Sequence, residues 1–363
     1  LGDAGSDFSG NVKDFVYISA APILSATTMK KLNLPYRIEG RVMDIQQRLT
    51  INRGVEIHFE EDGGLGVYDN GALKVNGTAD EPVIMKGVES QSGYWRGIHM
   101  ETDDNNNSLN YLNISGAGKN YVYCCNDKAS ILFKSGSAHL KNCTISNGGG
   151  YGVVARSGFQ FRSYTRNTIT SHADEPVKLL AEHLNDLDGR SSSYSGNSSD
   201  YILIANSKVS TATTIKSNNV PYLIDQSTVI DITQPVTIKA GVDIVFAENS
   251  GLGVYDQGSL AANGTSGENI YFRGLSATRG FWRGIHLETE GNTIRYTEIT
   301  NAGSNYVYCC NEKAAIFVKS GDLLLQNSYI AENDGCGVFV RNGAQLTESG
   351  NTFSGNSDGH ICN

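Results

Sequence analysis

Proline is scarce in this chain, at 6 residues, against 41 glycines in 363. With abundant Asn, Ser and Thr, that balance points to many short strands joined by tight turns. Positive charge is also short. Lys and Arg total 29 against 38 Asp and Glu, for a net charge of −9 and a pI of 5.3. Nucleic-acid binding depends on basic groups that neutralise phosphates, so no nucleic-acid partner is expected. No apolar run reaches the ~18 residues of a membrane-spanning helix. Tyr201-Ile202-Leu203-Ile204-Ala205, the longest near the middle, is strand-sized, and no transmembrane segment is expected. Catalytic signatures are missing too: there is no GxSxG or HExxH, and Gly148-Gly149-Gly150 lacks the Lys-Ser/Thr of a phosphate loop. The chain begins at Leu1 with neither Met nor signal peptide and reads as a processed product or a trimmed chain.

The seven cysteines lack CxxC spacing, which disfavours a zinc ribbon. They are Cys124, Cys125, Cys143, Cys309, Cys310, Cys336 and Cys362. An odd count leaves at least one thiol unpaired within the chain. Each adjacent pair has three readings: a vicinal disulfide, partners for distant thiols, or buried free thiols.

What the chain does have is a block that occurs twice. Gly64-Leu65-Gly66-Val67-Tyr68-Asp69 returns as Gly251-Leu252-Gly253-Val254-Tyr255-Asp256. Tyr94-Trp95-Arg96-Gly97-Ile98-His99 returns as Phe281-Trp282-Arg283-Gly284-Ile285-His286. Asn120-Tyr121-Val122-Tyr123-Cys124-Cys125-Asn126 returns as Asn305-Tyr306-Val307-Tyr308-Cys309-Cys310-Asn311. The duplication reaches back to Asp14 and Asp200. Three segments are therefore predicted: a flexible 1–13, unit A over 14–199 and unit B over 200–363, the two units forming one continuous solenoid. Residues 14–34 are expected to help cap the open first coil.

A shorter period sits inside each unit. Ile131-Leu132-Phe133-Lys134-Ser135-Gly136 recurs at Val153 about 22 residues on, and Ile316-Phe317-Val318-Lys319-Ser320-Gly321 recurs at Val338. In Gly97-Ile98-His99-Met100-Glu101, alternation puts Ile98 and Met100 on one face and His99 and Glu101 on the other. Short strands repeating at this period predict an all-β solenoid, wound as a parallel β-helix. One stretch breaks the pattern: 176–187 has apolar residues at helical spacing behind Pro176, and a short amphipathic helix is predicted there.

Several segments carry a resemblance. They are Leu49-Thr50-Ile51-Asn52-Arg53-Gly54-Val55-Glu56-Ile57 with its twin at Val236, Gly71-Ala72-Leu73-Lys74-Val75-Asn76-Gly77-Thr78 with its twin at Gly258, and the Trp-x-Gly-Ile turns at Trp95 and Trp282. From about residue 35 onward the chain resembles the bacterial secreted and surface right-handed parallel β-helix repeat proteins, distant kin of the pectate-lyase-like fold. The resemblance implies a right-handed coil and a secreted or cell-surface location. It does not name an activity, because one fold hosts many. Glycosidases of that fold use grouped Asp residues and its lyases a calcium cage with a basic residue; neither pattern can be placed here.

The candidate ligand face is Trp95, Arg96, His99 and Glu101, with Trp282, Arg283, His286 and Glu288. Such a set can hydrogen-bond a sugar while Trp stacks on it, and His can act as a base; the competing reading is a Trp corner beside a solvated polar ladder. Lys134 with Arg156, and Lys319 with Arg341, form basic pairs that would grip an anionic polymer or be solvated turn residues. Asp103-Asp104-Asn105-Asn106-Asn107 and Asn185-Asp186-Leu187-Asp188-Gly189 are oxygen-rich enough for Ca²⁺ but lack EF-hand spacing, so no cofactor is expected. The leading expectation is a monomeric, non-enzymatic surface protein that binds a polysaccharide or cell-surface glycan. The alternative is a polysaccharide lyase or glycoside hydrolase.

Overall fold

A computed structural model describes residues 6–363. The regular secondary structure of the described chain is almost entirely parallel strand, in solenoid-like stacks. It packs as two compact units: residues through Leu179 with Asp186–Tyr201, and Leu180–Asn185 with Ile202–Asn363. Of the segment 1–13, residues 1–5 lie outside the described residues, and 6–13 are exposed and form no strand.

In the first unit the chain contributes to three ladders in turn. One runs through Val16–Ile18, Tyr36–Ile38, Glu56–Phe59, Val83–Gly87, Leu112–Ser115, Thr144–Ser146 and Thr168–Thr170. A second includes Val42–Ile45, Gly64–Asp69, Gly97–Thr102, Ala129–Lys141 and Tyr151–Ala155. A third includes Thr27–Met29, Leu49–Asn52, Leu73–Asn76 and Asn107–Asn110. Register stacks like residues inward: Tyr36, Ile57, Met85, Ile114, Ile145 and Ile169 form one dry column. Each such side chain contributes about 1.5–3 kcal/mol on burial. Buried turns are satisfied by asparagine. Asn107 Oδ1 accepts from Leu73 N at 2.8 Å, and its Nδ2 donates to Asp104 O and Ser137 O. In the same run Asp104 also accepts from Asn106 N. In the other run, Asp188 accepts from Arg166 N and Ser192 Oγ.

The second unit repeats the plan. Tyr222, Ile244, Phe272, Ile299 and Ile330 form the matching column. A second ladder runs Lys208–Val209, Val229–Ile232, Gly251–Val254, Gly284–Leu287, Ala314–Val318, Cys336–Val340 and Gly359–Cys362.

The helix predicted over 176–187 is not formed. Val177–Leu180 is a strand, followed by a single 3-10 turn at Ala181–His183. Val177 and Leu179 alternate inward, and Val153 pairs with Val177, so the ladder hydrogen bonds win over helical spacing. The cysteines resolve into vicinal disulfides Cys124–Cys125 and Cys309–Cys310, a bridge Cys336–Cys362, and a buried free Cys143.

Candidate functional site: twin tyrosine–carboxylate clefts

The site begins with one outward column of the second ladder. Asp44 pairs with Gly66, Gly66 with His99, and His99 with Leu132. Their strand neighbours Met43, Leu65 and Ile98 point into the core, so the column faces out by alternation. Gly66 leaves a gap in it. Its φ is not in the left-handed region; the position is small because something else occupies the space. That occupant is Tyr123, whose ring lies where a Cβ on Gly66 would go.

Tyr123 arrives on a loop that leaves the coil after Gly118 and rejoins it at Ala129. The loop is braced at several points. Arg96 Nη1 donates to Tyr121 O at 3.3 Å, and Arg156 Nη2 donates to Cys125 O at 2.8 Å. Asp127 accepts from Arg156 and from Lys178. Cys125 packs on Ala129, Leu132 and Val154. The left-handed backbone at Cys125 and Asn126, with φ of 81° and 57°, turns the chain back. The Tyr123 hydroxyl then donates to Asp44, which also accepts from the Tyr68 hydroxyl at 3.1 Å.

The result is a solvent-open cleft of ≈ 370 Å³ lined by Tyr68, Asp69, Glu101 and Tyr123. His99 lies beneath it with no exposed surface, its ring edge-on to Tyr123 at 5.2 Å. His99 Nε2 sits 3.1 Å from Glu101 Oε2. A carboxylate can only accept, so Nε2 carries the proton and Nδ1 is left bare, consistent with its having no partner. Burial lowers the His99 pKa, against the opposing pull of Glu101, so the ring is neutral at pH 7. Burial raises the Glu101 carboxyl, but hydrogen bonds from Lys134 and His99 outweigh it and hold the group below its ordinary value. Lys134 Nζ donates to Glu101 Oε1 at 2.5 Å. Burial and the bond to Asp44 push the Tyr123 hydroxyl well up, so it stays a donor.

The second unit builds the same cleft, of ≈ 400 Å³, from Tyr255, Asp256, Glu288 and Tyr308. Asp231, Gly253 and His286 form the column. Tyr308 fills the space above Gly253 and donates to Asp231. His286 Nε2 lies 2.8 Å from Glu288 Oε1, which Lys319 also reaches at 2.9 Å. Tyr255 is pushed up to about 12 by burial and Asp231. Arg283 Nη1 donates to Val307 O, and Arg341 Nη1 lies 3.1 Å from Cys310 Sγ.

The eight residues singled out from the sequence therefore divide by role. Glu101 and Glu288 line the clefts, and His99 and His286 support them from beneath. Arg96 and Arg283 hold the loops. Trp95 and Trp282 are not on the ligand face at all. Each is fully buried, stacked on Phe59 at 4.0 Å or Phe246 at 3.9 Å, and donates to Ser115 O or Thr300 O. Neither can stack on a sugar. Lys134, Arg156 and Lys319 are consumed by Glu101, Asp127 and Glu288, and so do not form a free basic grip. Sequence reasoning missed Asp44, Tyr68, Asp69 and Tyr123 with their twins as site residues, although all but Asp44 and Asp231 lie inside the repeated blocks.

His99, Glu101 and Cys124 bring ligand atoms within 4.8 Å of one another. The Cys124 sulfur is bonded to Cys125 and Glu101 is bonded to Lys134, so the set lacks the thiolate and the free carboxylate that a metal would take. Comparison with family models, with curated proteins and with solved structures returns no match.

Proposed function

We propose that this chain is a right-handed parallel β-helix of two duplicated units, secreted or at the cell surface, that binds carbohydrate without catalysis at its twin clefts. One observation carries the reading. Between the units the core has drifted, with Met43, Met85, Met100 and Leu132 answered by Ile230, Phe272, Leu287 and Phe317. Part-buried strand positions have drifted as well: His58 and Lys74 are answered by Val245 and Ala261. The cleft set is identical in both units: Asp44, Gly66, Tyr68, Asp69, His99, Glu101, Tyr123 and Lys134 match Asp231, Gly253, Tyr255, Asp256, His286, Glu288, Tyr308 and Lys319.

Aromatic rings beside fixed carboxylates suit a sugar, whose apolar face packs on a ring while its hydroxyls donate. The cleft volumes fall in the range of small-ligand sites. Absence of catalysis is supported by the state of the groups. Glu101 is ionised and paired, which is unlike a general acid, and the neutral His99 lies under Tyr123. Three disulfides favour an oxidising location.

A glycan-array screen with the intact chain and with a Tyr68→Ala/Tyr255→Ala variant tests the proposal. Retention of one glycan class, lost in the variant, is expected. Turnover of uronic-acid polysaccharides that disappears in His99→Ala or His286→Ala would replace it with the lyase or hydrolase reading.

A further inference from the structure

The two clefts share their residues but differ in charge at one edge. In the second unit Lys208 pairs in register with Asp231, and so extends the outward column by one rung. Its ammonium lies over the Tyr255 ring, 5.8 Å from the centroid, within reach of a cation–π attraction. In the first unit Ile23 bridges to Ile45, which sets Pro22 beside Asp44 in the place of Lys208. Among the described residues, no Lys or Arg stands over Tyr68 or Tyr123. One cleft thus has an ammonium of its own chain at its aromatic wall, and the other lacks one.

The carboxylates point the same way. Glu101 is already matched by Lys134, and Asp44 accepts from two tyrosines. Asp69 is exposed at the cleft wall; its backbone carbonyl accepts from Thr102 Oγ1, but its carboxylate makes no hydrogen bond or ion pair with another described side chain. Its twin Asp256 is equally unpaired, so the clefts differ not in this carboxylate but in the Lys208 ammonium over Tyr255. The first cleft therefore offers a carboxylate with no partner beside two tyrosine rings that carry no ammonium, on a chain with net charge −9. An anionic sugar would bring a second carboxylate against Asp69. A sugar bearing a protonated primary amine would match that charge and present its ring to the tyrosines.

We infer that the first cleft takes a saccharide with free amino groups, a glucosamine-type unit, and that in the second the Lys208 ammonium over the Tyr255 ring repels such a cation. This rests on the carbohydrate reading above and narrows it to a charge class. The amine sits at Asp69 and the Tyr68 face, away from Lys134. The saccharide is favoured over a lysine-rich peptide because the cleft is a single pocket with acceptors for hydroxyls, not a groove along an extended backbone.

Calorimetric titration of the intact chain with a fully deacetylated glucosamine tetramer, its N-acetylated form and a galacturonic acid tetramer tests this. The deacetylated tetramer is expected to bind with one equivalent per chain, at least about ten-fold tighter than the other two, and to weaken as salt rises. Asp69→Asn is expected to weaken it about ten-fold. Lys208→Ala is expected to raise the stoichiometry from one to two, a gain that misfolding cannot produce. Equal affinity for the acetylated tetramer, or an unchanged stoichiometry in Lys208→Ala, overturns the inference while leaving carbohydrate binding in place. Equal affinity for an oligolysine peptide overturns the saccharide part. Failure of every saccharide removes the carbohydrate reading and this inference together.

Discussion

Gly66→Ala is the sharpest test of how the cleft is built. The backbone at Gly66 accepts any residue, and the three atoms nearest an added Cβ all belong to Tyr123. The methyl group therefore meets Tyr123 first and expels the ring. Tyr123 is 38% exposed where it lies, so its lost burial is worth about 1–2 kcal/mol rather than the full value for a large side chain. The lost hydrogen bond to an ionised carboxylate adds about 1.5–3 kcal/mol. Asp44 keeps its bond from Tyr68, which spares it an unpartnered charge. Gly66→Ala should cost about 3–5 kcal/mol in all, and Tyr123→Ala about the same, because both remove one set of contacts. The double variant should then be no less stable than either single, a coupling of about 3 kcal/mol in a double-mutant cycle read by urea unfolding. If the two losses instead add, Gly66 is small for some other reason, and the account of the cleft floor fails.

Three further outcomes follow from the same geometry. His172 is buried between Ser130 Oγ and Asn197 Oδ1, and burial, only partly opposed by Asn197, lowers its pKa to about 4. Its neutral form is favoured on folding, so its stabilisation is complete above about pH 6.5 and fades as pH falls towards 4. By linkage the loss is about 3 kcal/mol, and urea stability of His172→Gln should fall by that much less over the same range; parallel curves would refute it. Cys143 is buried with its thiol pushed up to about 12, so a thiol reagent should label no cysteine in the native chain and one on unfolding without reductant. Trp95→Phe keeps a ring on Phe59 but removes the donor to Ser115 O. It should cost about 1–3 kcal/mol in urea unfolding and leave saccharide affinity unchanged in titration; a weakened affinity would return Trp95 to the ligand face.

The stacked ladders could be read from the sequence because their cause is local. Alternation at Ile98 and Met100, and the return of Ile131 at Val153, state which side chains face inward and which residues lie one rung apart. The 176–187 stretch misled because Leu179, Leu180, Leu184 and Leu187 satisfy a helical period, while Val177 and Leu179 satisfy a strand period. Only the neighbouring strand, through Val153, decides between them. The oxygen-rich runs show the same limit. Asn107 and Asp188 look like free ligands until the turns they hold together are known. The cleft itself was half legible. The repeated blocks contain nearly all of it, but nothing local says that Tyr123 folds back over Gly66 to reach Asp44. That contact joins residues 79 apart in sequence, and alternation reports nothing at such range.

A stacked ladder presents a flat outer face, because neighbouring rungs carry side chains at equal height. Concavity needs one rung to lose its side chain and a wall to be supplied from elsewhere. Gly66 provides the first and the 120–126 loop the second. The adjacent-cysteine bridge makes sense in that setting. A disulfide stabilises a chain mainly by closing a long loop, and Cys124–Cys125 closes almost none. Its contribution is local: it fixes the backbone next to Tyr123 while Cys125 anchors on Leu132, the rung beside His99. Cys336–Cys362 differs, joining strands that pair in the ladder at Phe339 and Cys362. The same local bridge beside the same tyrosine in both units thus ties the cysteine pairs to the shape of the clefts rather than to holding the coils together.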